Sequence, residues 1–159
     1  MKTRFVAPLM VLVAMACRPY VIRSATTGAP AQLLGEFDDD YGSSYRITPE
    51  AFQQDGRSTY RVVAWHTDSL YLIAQNAPTN SSAPNRWTRI DWLPLDGMPL
   101  DGMPLDGMPL DGVPPYRWGF CLSAYDAATR HEAEAVRTAQ RSSPRTGCNG
   151  FPFTRMRPR

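Results

Sequence analysis

Between Leu33 and Tyr125 apolar and polar residues alternate one for one over several short stretches. That is the period of a half-buried β-strand. "LLGEFDDDYGSSYRIT" predicts two strands about an acidic turn containing Gly42, with Tyr45 and Ile47 on one face. "STYRVVAWHTDSLYLIAQN" predicts a hairpin. Tyr60, Val62 and Ala64 face one way, and Arg61, Val63 and Trp65 the other. His66 to Ser69 turn the chain, and Leu70, Leu72 and Ala74 then alternate with Tyr71, Ile73 and Gln75. "APTNSSAPN" is a loop. In "RWTRIDWL", Thr88, Ile90 and Trp92 share one face and Trp87, Arg89 and Asp91 the other. "YRWGFCLSAY" sets Trp118, Phe120 and Leu122 opposite Gly119 and Cys121.

The period then changes. "DAATRHEAEAVRTAQR" is rich in Ala, Glu and Arg and predicts a helix with Asp126 as N-cap. Ala128, Ala135 and Val136 give it a weak apolar stripe, as expected of a helix laid on a sheet. Pro144 and Gly147 end it, and Phe151 and Phe153 are expected to pin against the core. The expected fold is mainly β: a small antiparallel sheet, curled meander or barrel of about six strands, with one C-terminal helix. "LLGEF" is similar to the Gly-x-Trp opening of lipocalin-like domains, with Phe37 in the Trp position, and a helix after the barrel is similar too.

One apolar run does not alternate. Phe5 to Ala16 follows Lys2 and Arg4 and is too short to span ~30 Å of hydrocarbon as a helix. It has the layout of an export signal. Its end, Ala14-Met15-Ala16-Cys17, resembles the lipobox of bacterial lipoproteins. Ala16 and Cys17 match that pattern; Ala14 and Met15 depart from it. The resemblance implies a signal peptide over 1–16, lipid and palmitate on Cys17, and a membrane anchor. Residues 17–32 then form a flexible tether and 33–159 a single β-rich domain. Arg18 is not the aspartate that commonly signals inner-membrane retention, so by resemblance the periplasmic face of the outer membrane is preferred.

The chain has three cysteines, and an odd count in an exported protein needs a reason. With Cys17 lipidated, Cys121 and Cys148 remain and can form a disulfide in an oxidising compartment. Closing that loop stabilises by roughly 3–4 kcal/mol on the chain-entropy view. Zinc is the alternative use, but His66 and His131 lie at no ligand spacing from the cysteines. The chain carries 17 basic and 15 acidic residues. Removing a leader with Lys2 and Arg4 leaves the two signs equal, so no global field draws the domain to nucleic acid.

Within 93–115 stand four copies of Leu-Asp-Gly-Met/Val-Pro. Removing three leaves an ordinary strand connection, so the repeat reads as an expanded loop. Loop closure entropy grows only slowly with length. One aspartate per five residues supplies too few oxygens for a Ca²⁺ site, and a sticky apolar ribbon for a partner is the other reading.

Asp38-Asp39-Asp40 lacks calcium-loop spacing and reads as a solvated turn. His66, close to Asp68 and Ser69, could serve a hydrolase, yet no nucleophile motif accompanies it; it and His131 are expected to face solvent. Trp87, Arg89 and Asp91 are the candidate ligand-binding residues if their face lines a barrel, and a plain surface pair if it does not. The arginine-rich segment from Arg130 on is either solvated or touches anionic headgroups or a polyanionic envelope polymer. No cofactor motif or metal set is present. The expectation is a lipid-anchored envelope protein with a non-catalytic β domain that binds a small apolar or amphipathic ligand or an envelope partner. A structural or assembly lipoprotein and a hydrolase are the alternatives.

Overall fold

In the computed structural model, residues 28–95 and 115–159 are described. The apolar leader, Cys17, most of the tether and 96–114 of the repeat lie outside them.

Eight antiparallel strands close into an up-and-down barrel, each pairing with the next and the last with the first. They are β1 (Gly35–Asp39), β2 (Ser44–Thr48), β3 (Ala51–Gln54), β4 (Ser58–His66), β5 (Tyr71–Asn76), β6 (Trp87–Pro94), β7 (Trp118–Ala127) and β8 (Thr154–Pro158). One short helix, α1 (Arg130–Ala135), lies between β7 and β8. The expected six strands are therefore eight: β3 and β8 are added, and β8 closes the ring. Closure leaves no unpaired edge.

Alternation carries the large side chains inward. Phe37, Tyr45, Ile47, Phe52, Leu72, Ile90, Trp92, Trp118, Phe120 and Met156 form one buried cluster. Burying each such side chain contributes about 1.5–3 kcal/mol. On β4 the register shifts between Val62 and Ala64. That bulge turns Trp65 inward beside Tyr60 and Val62 and puts Ala64 outside, the reverse of strict alternation. The Trp65 Nε1–H donates to Pro49 O at 2.8 Å.

One barrel end is shut. A 3-10 turn at Ala31–Leu33 drops Leu33 onto Ile47, Trp65, Leu72, Trp92 and Trp118. The void left there is about 10 Å³, no more than a single water needs. Eight strands make an interior that side chains can just fill, and at this end they fill it. Leu93 and Leu95 are buried at the same end, where Leu95 N–H bonds to Arg117 O at 2.9 Å. That pair stands on either side of residues 96–114.

Three expectations for the polar and C-terminal parts are corrected. The helix is six residues long because β7 runs on to Ala127. Its N-cap is Thr129, whose Oγ1 accepts from Glu132 N, and not Asp126; its one buried residue is Ala133. The Asp38-Asp39-Asp40 turn is not simply solvated. Asp39 accepts from Tyr41 N, Ser43 N and the Tyr45 hydroxyl at 2.9, 2.7 and 3.0 Å. Asp40 pairs with Arg155 at 2.8 Å, and Asp38 lies 3.8 Å from Arg157 and 3.4 Å from Arg159. The basic end of the chain is thus β8, its charges set against β1. Finally, Phe153 is buried as expected, but Phe151 is exposed.

Cys121 and Cys148 form a disulfide across 27 positions. It packs with Leu93, Leu95 and Phe153, and holds the segment after α1 against the outside of β7. Gly147 makes this segment's tight turn possible. A Cβ there would sit 1.9 Å from Gln140 O, which backbone cannot yield.

Candidate functional site

The face bearing Trp87, Arg89 and Asp91 points away from the barrel interior, since Thr88, Ile90 and Trp92 point in. It is not open surface either. Arg89 and Asp91 are buried beneath α1 and the segment after it. Arg89 Nε and Nη2 donate to Asp91 Oδ2 and Oδ1 at 2.7 and 3.0 Å. Arg89 Nη1 donates to Glu134 O at 3.2 Å. Arg141 Nη2 reaches Asp91 Oδ1 at 2.6 Å, and the Ser123 hydroxyl donates to Asp91 Oδ2. Four donors thus fill the lone pairs of one carboxylate. Arg141 also donates to Trp92 O, Ser69 O and Leu70 O at 2.8, 3.0 and 2.6 Å. Trp87 packs with Ala64, Ile73 and Ala133 under the helix. The set is a joint between the barrel wall and the covering segment.

A stack extends from this joint. The Arg89 guanidinium lies 3.6 Å above the Tyr71 ring, and His66 stacks on Tyr71 with centroids 4.3 Å apart. His66 Nε2 is buried with no hydrogen-bond partner, so the ring is not the exposed turn residue expected. Burial lowers its pKa; Glu134 opposes the shift, while Arg130 and Arg89 add to it. His131 is exposed on α1. Among the described residues no group of three His, Cys, Asp or Glu is placed to hold a metal ion, and no helix is long and apolar enough to cross a membrane.

The open end of the barrel is different. A cleft of about 660 Å³ lies between the β1–β2 turn, the β3–β4 turn, the end of β7 and the chain before β8. Its floor is aromatic. Tyr45, Phe52 and Phe120 meet edge to face, with centroids 5.2–5.6 Å apart, and Tyr60 adds to Phe52 at 6.2 Å. Such pairs gain about 0.5–1.5 kcal/mol beyond area burial, so the floor is rigid. Burial, with Asp39 beside it, pushes the Tyr45 phenol up; burial does the same to Tyr60.

The rim is aromatic too, but wet. Tyr41, Tyr125 and Phe151 are 68, 53 and 71 % exposed. Together with Val63 they are the large apolar side chains most exposed in the described residues. Three of these four therefore surround one cleft. Arg57 lines it as well, and among the described residues its side chain has no ion-pair or hydrogen-bond partner. Asp39 is the lining acid, and it is 5 % exposed with three donors already on it. The disulfide forms part of the wall.

Sequence reasoning missed this site. Its members come from four turns and strand ends between Asp39 and Thr154. The signal that was present is aromatic residues at turn positions, Tyr41 beside Gly42 and Phe151 beside Gly150. The chain matches no protein-family model, no curated protein and no solved structure.

Proposed function

We propose that this chain is a lipid-anchored envelope protein whose barrel binds a ligand at its open end without catalysing a reaction on it. The observation that carries this reading is the gathering of Tyr41, Tyr125 and Phe151 around a 660 Å³ cleft with an aromatic floor. Exposed rings cost free energy in water and are retained at the mouths of barrels where something covers them. Polarity of the fold fits the anchor. The chain enters β1 through the closed end, capped by Leu33, while the cleft opens at the opposite end. A lipid on Cys17 would then join the barrel on the side away from the cleft.

The test has two arms on the full chain expressed in a bacterial envelope. Labelled palmitate is incorporated into the wild type and not into Cys17→Ser. Native mass spectrometry of the purified protein shows a non-covalent small-molecule adduct, lost in Tyr125→Ala/Phe151→Ala with the fold intact. A stable complex with another envelope protein and no adduct would replace this reading with an assembly role. Absence of label would remove the anchor.

A further inference from the structure

The binding reading says where a ligand sits; the chemistry of the cleft says what kind. Three observations narrow it. The floor and rim are rings, which favour a flat apolar body that can stack or meet them edge-on. The volume, about 660 Å³, is that of a site for a small organic molecule rather than a polymer groove. The charge is one-sided in what it leaves available. Asp39 is screened by the Tyr41 and Ser43 amides and the Tyr45 hydroxyl. Arg57 is exposed at the lip, on the β3–β4 turn just after Gly56. Arg89, Arg130, Arg141 and Arg155 are each paired with a carboxylate. Arg57 is not, although Asp55 stands two residues away in the same turn. A planar guanidinium without a partner matches a carboxylate, sulfonate or phosphate, which it can engage with two parallel N–H···O bonds.

We infer that the open-end cleft takes an amphipathic small molecule with a flat apolar body and one anionic group, the body lying among Tyr41, Tyr125 and Phe151 and the anion on Arg57. This rests on the binding reading above. The anion sets orientation: the ring system goes down towards Phe52 and Phe120, and the charge stays at the rim in water. Burying a charge on the aromatic floor would cost several kcal/mol with no counter-ion there. Among the lining residues the one carboxylate is Asp39, which already accepts three hydrogen bonds.

The test uses naphthalene-2-sulfonate as the anionic probe and 2-naphthol as its neutral counterpart. Full-length protein is held in zwitterionic lipid nanodiscs, and binding is followed by saturation-transfer NMR with empty nanodiscs subtracted. The sulfonate should saturate one site and bind at least about ten-fold more tightly than the naphthol. Arg57→Ala should remove that preference and Arg57→Glu reverse it, while naphthol affinity stays unchanged. Tyr125→Ala/Phe151→Ala should weaken both probes. Circular dichroism in the aromatic region confirms that each variant is folded. Arg57 stands on an exposed turn, so its variants are expected to fold. Equal binding of the two probes, unaffected at Arg57 but lost in the double aromatic variant, would overturn the anion assignment and leave the cleft standing. Binding of neither probe, or binding indifferent to the aromatic variant, would overturn the cleft as a binding site as well.

Discussion

Asp91 shows how much one side chain can be asked to hold. It is fully buried and pairs with two arginines, Arg89 and Arg141. Removing one partner from such a group leaves a charge without compensation and costs about 3–5 kcal/mol. Asp91→Ala should therefore lose about that much stability in urea denaturation and free the segment after α1 to proteolysis. Replacing Arg89 and Asp91 together by Met and Leu should cost far less, because both members of the fully buried pair are removed and Arg141, partly exposed, keeps its three carbonyl acceptors. His66 makes a second residue-scale prediction. Its folded pKa lies below the ordinary 6.5, chiefly through burial. The unfolded chain therefore takes up a proton first as pH falls. Stability is present above 6.5 and is lost as pH drops below it towards the folded value. His66→Phe keeps a ring on Tyr71 and removes the proton site. Denaturation midpoints on either side of pH 6.5 should fall more steeply for the wild type; parallel slopes would refute this. The sequence made part of this legible. Alternation placed Trp87, Arg89 and Asp91 on one face, as found. Whether that face is inside, outside or covered depends on residues 130–153 folding back, and no local pattern encodes that.

At the scale of elements, what the pattern showed and what it hid have different physical causes. Strands β4 to β7, six to ten residues each, are legible because each is long enough for the two-residue alternation to show. β3 and β8 are four and five residues long, and β8 reads as a basic tail because its outward positions are Arg155 and Arg157. Its strand character comes from pairing with β1 and β7, distant in sequence. The bulge after Val62 is likewise invisible: one unpaired residue exchanges the roles of Ala64 and Trp65. The helix was overestimated because Ala, Glu and Arg favour helix wherever they stand. The chain instead spends Ala127 on β7 and caps α1 with Thr129. So short a helix is marginal alone. The covering segment is held instead by the disulfide, Arg141 and Ala133. Breaking the disulfide by Cys121→Ala/Cys148→Ala should cost roughly 3–4 kcal/mol by thermal unfolding. The barrel strands should remain, and loss should appear first in hydrogen exchange over 137–153.

The barrel has a closed end and an open one, and Leu95 and Arg117, on either side of the repeat, lie at the closed end. β6 leaves and β7 returns beside Leu33, where Leu93 and Leu95 are buried and Leu95 N–H bonds to Arg117 O. Nothing above that bond is needed to complete the barrel, because the ladder of β6 with β7 already runs to Pro94 and Trp118. Loop length then enters stability only through closure entropy, about 0.6 kcal/mol per doubling. Deleting 96–110 removes three of the four repeat units and keeps both Leu95 and the Asp-Gly turn. The shortened chain should be as stable as the parent, or more stable by about 1 kcal/mol, with an unchanged denaturant slope. It should also bind naphthalene-2-sulfonate unchanged, since the cleft lies at the opposite end of the barrel. A stability loss beyond about 2 kcal/mol would mean that the repeat packs on the barrel, well outside what closure entropy allows. Loss of probe binding with stability intact would tie the repeat to the cleft across the length of the fold, and would overturn the proposed separation of an anchored, closed end from an open, binding one.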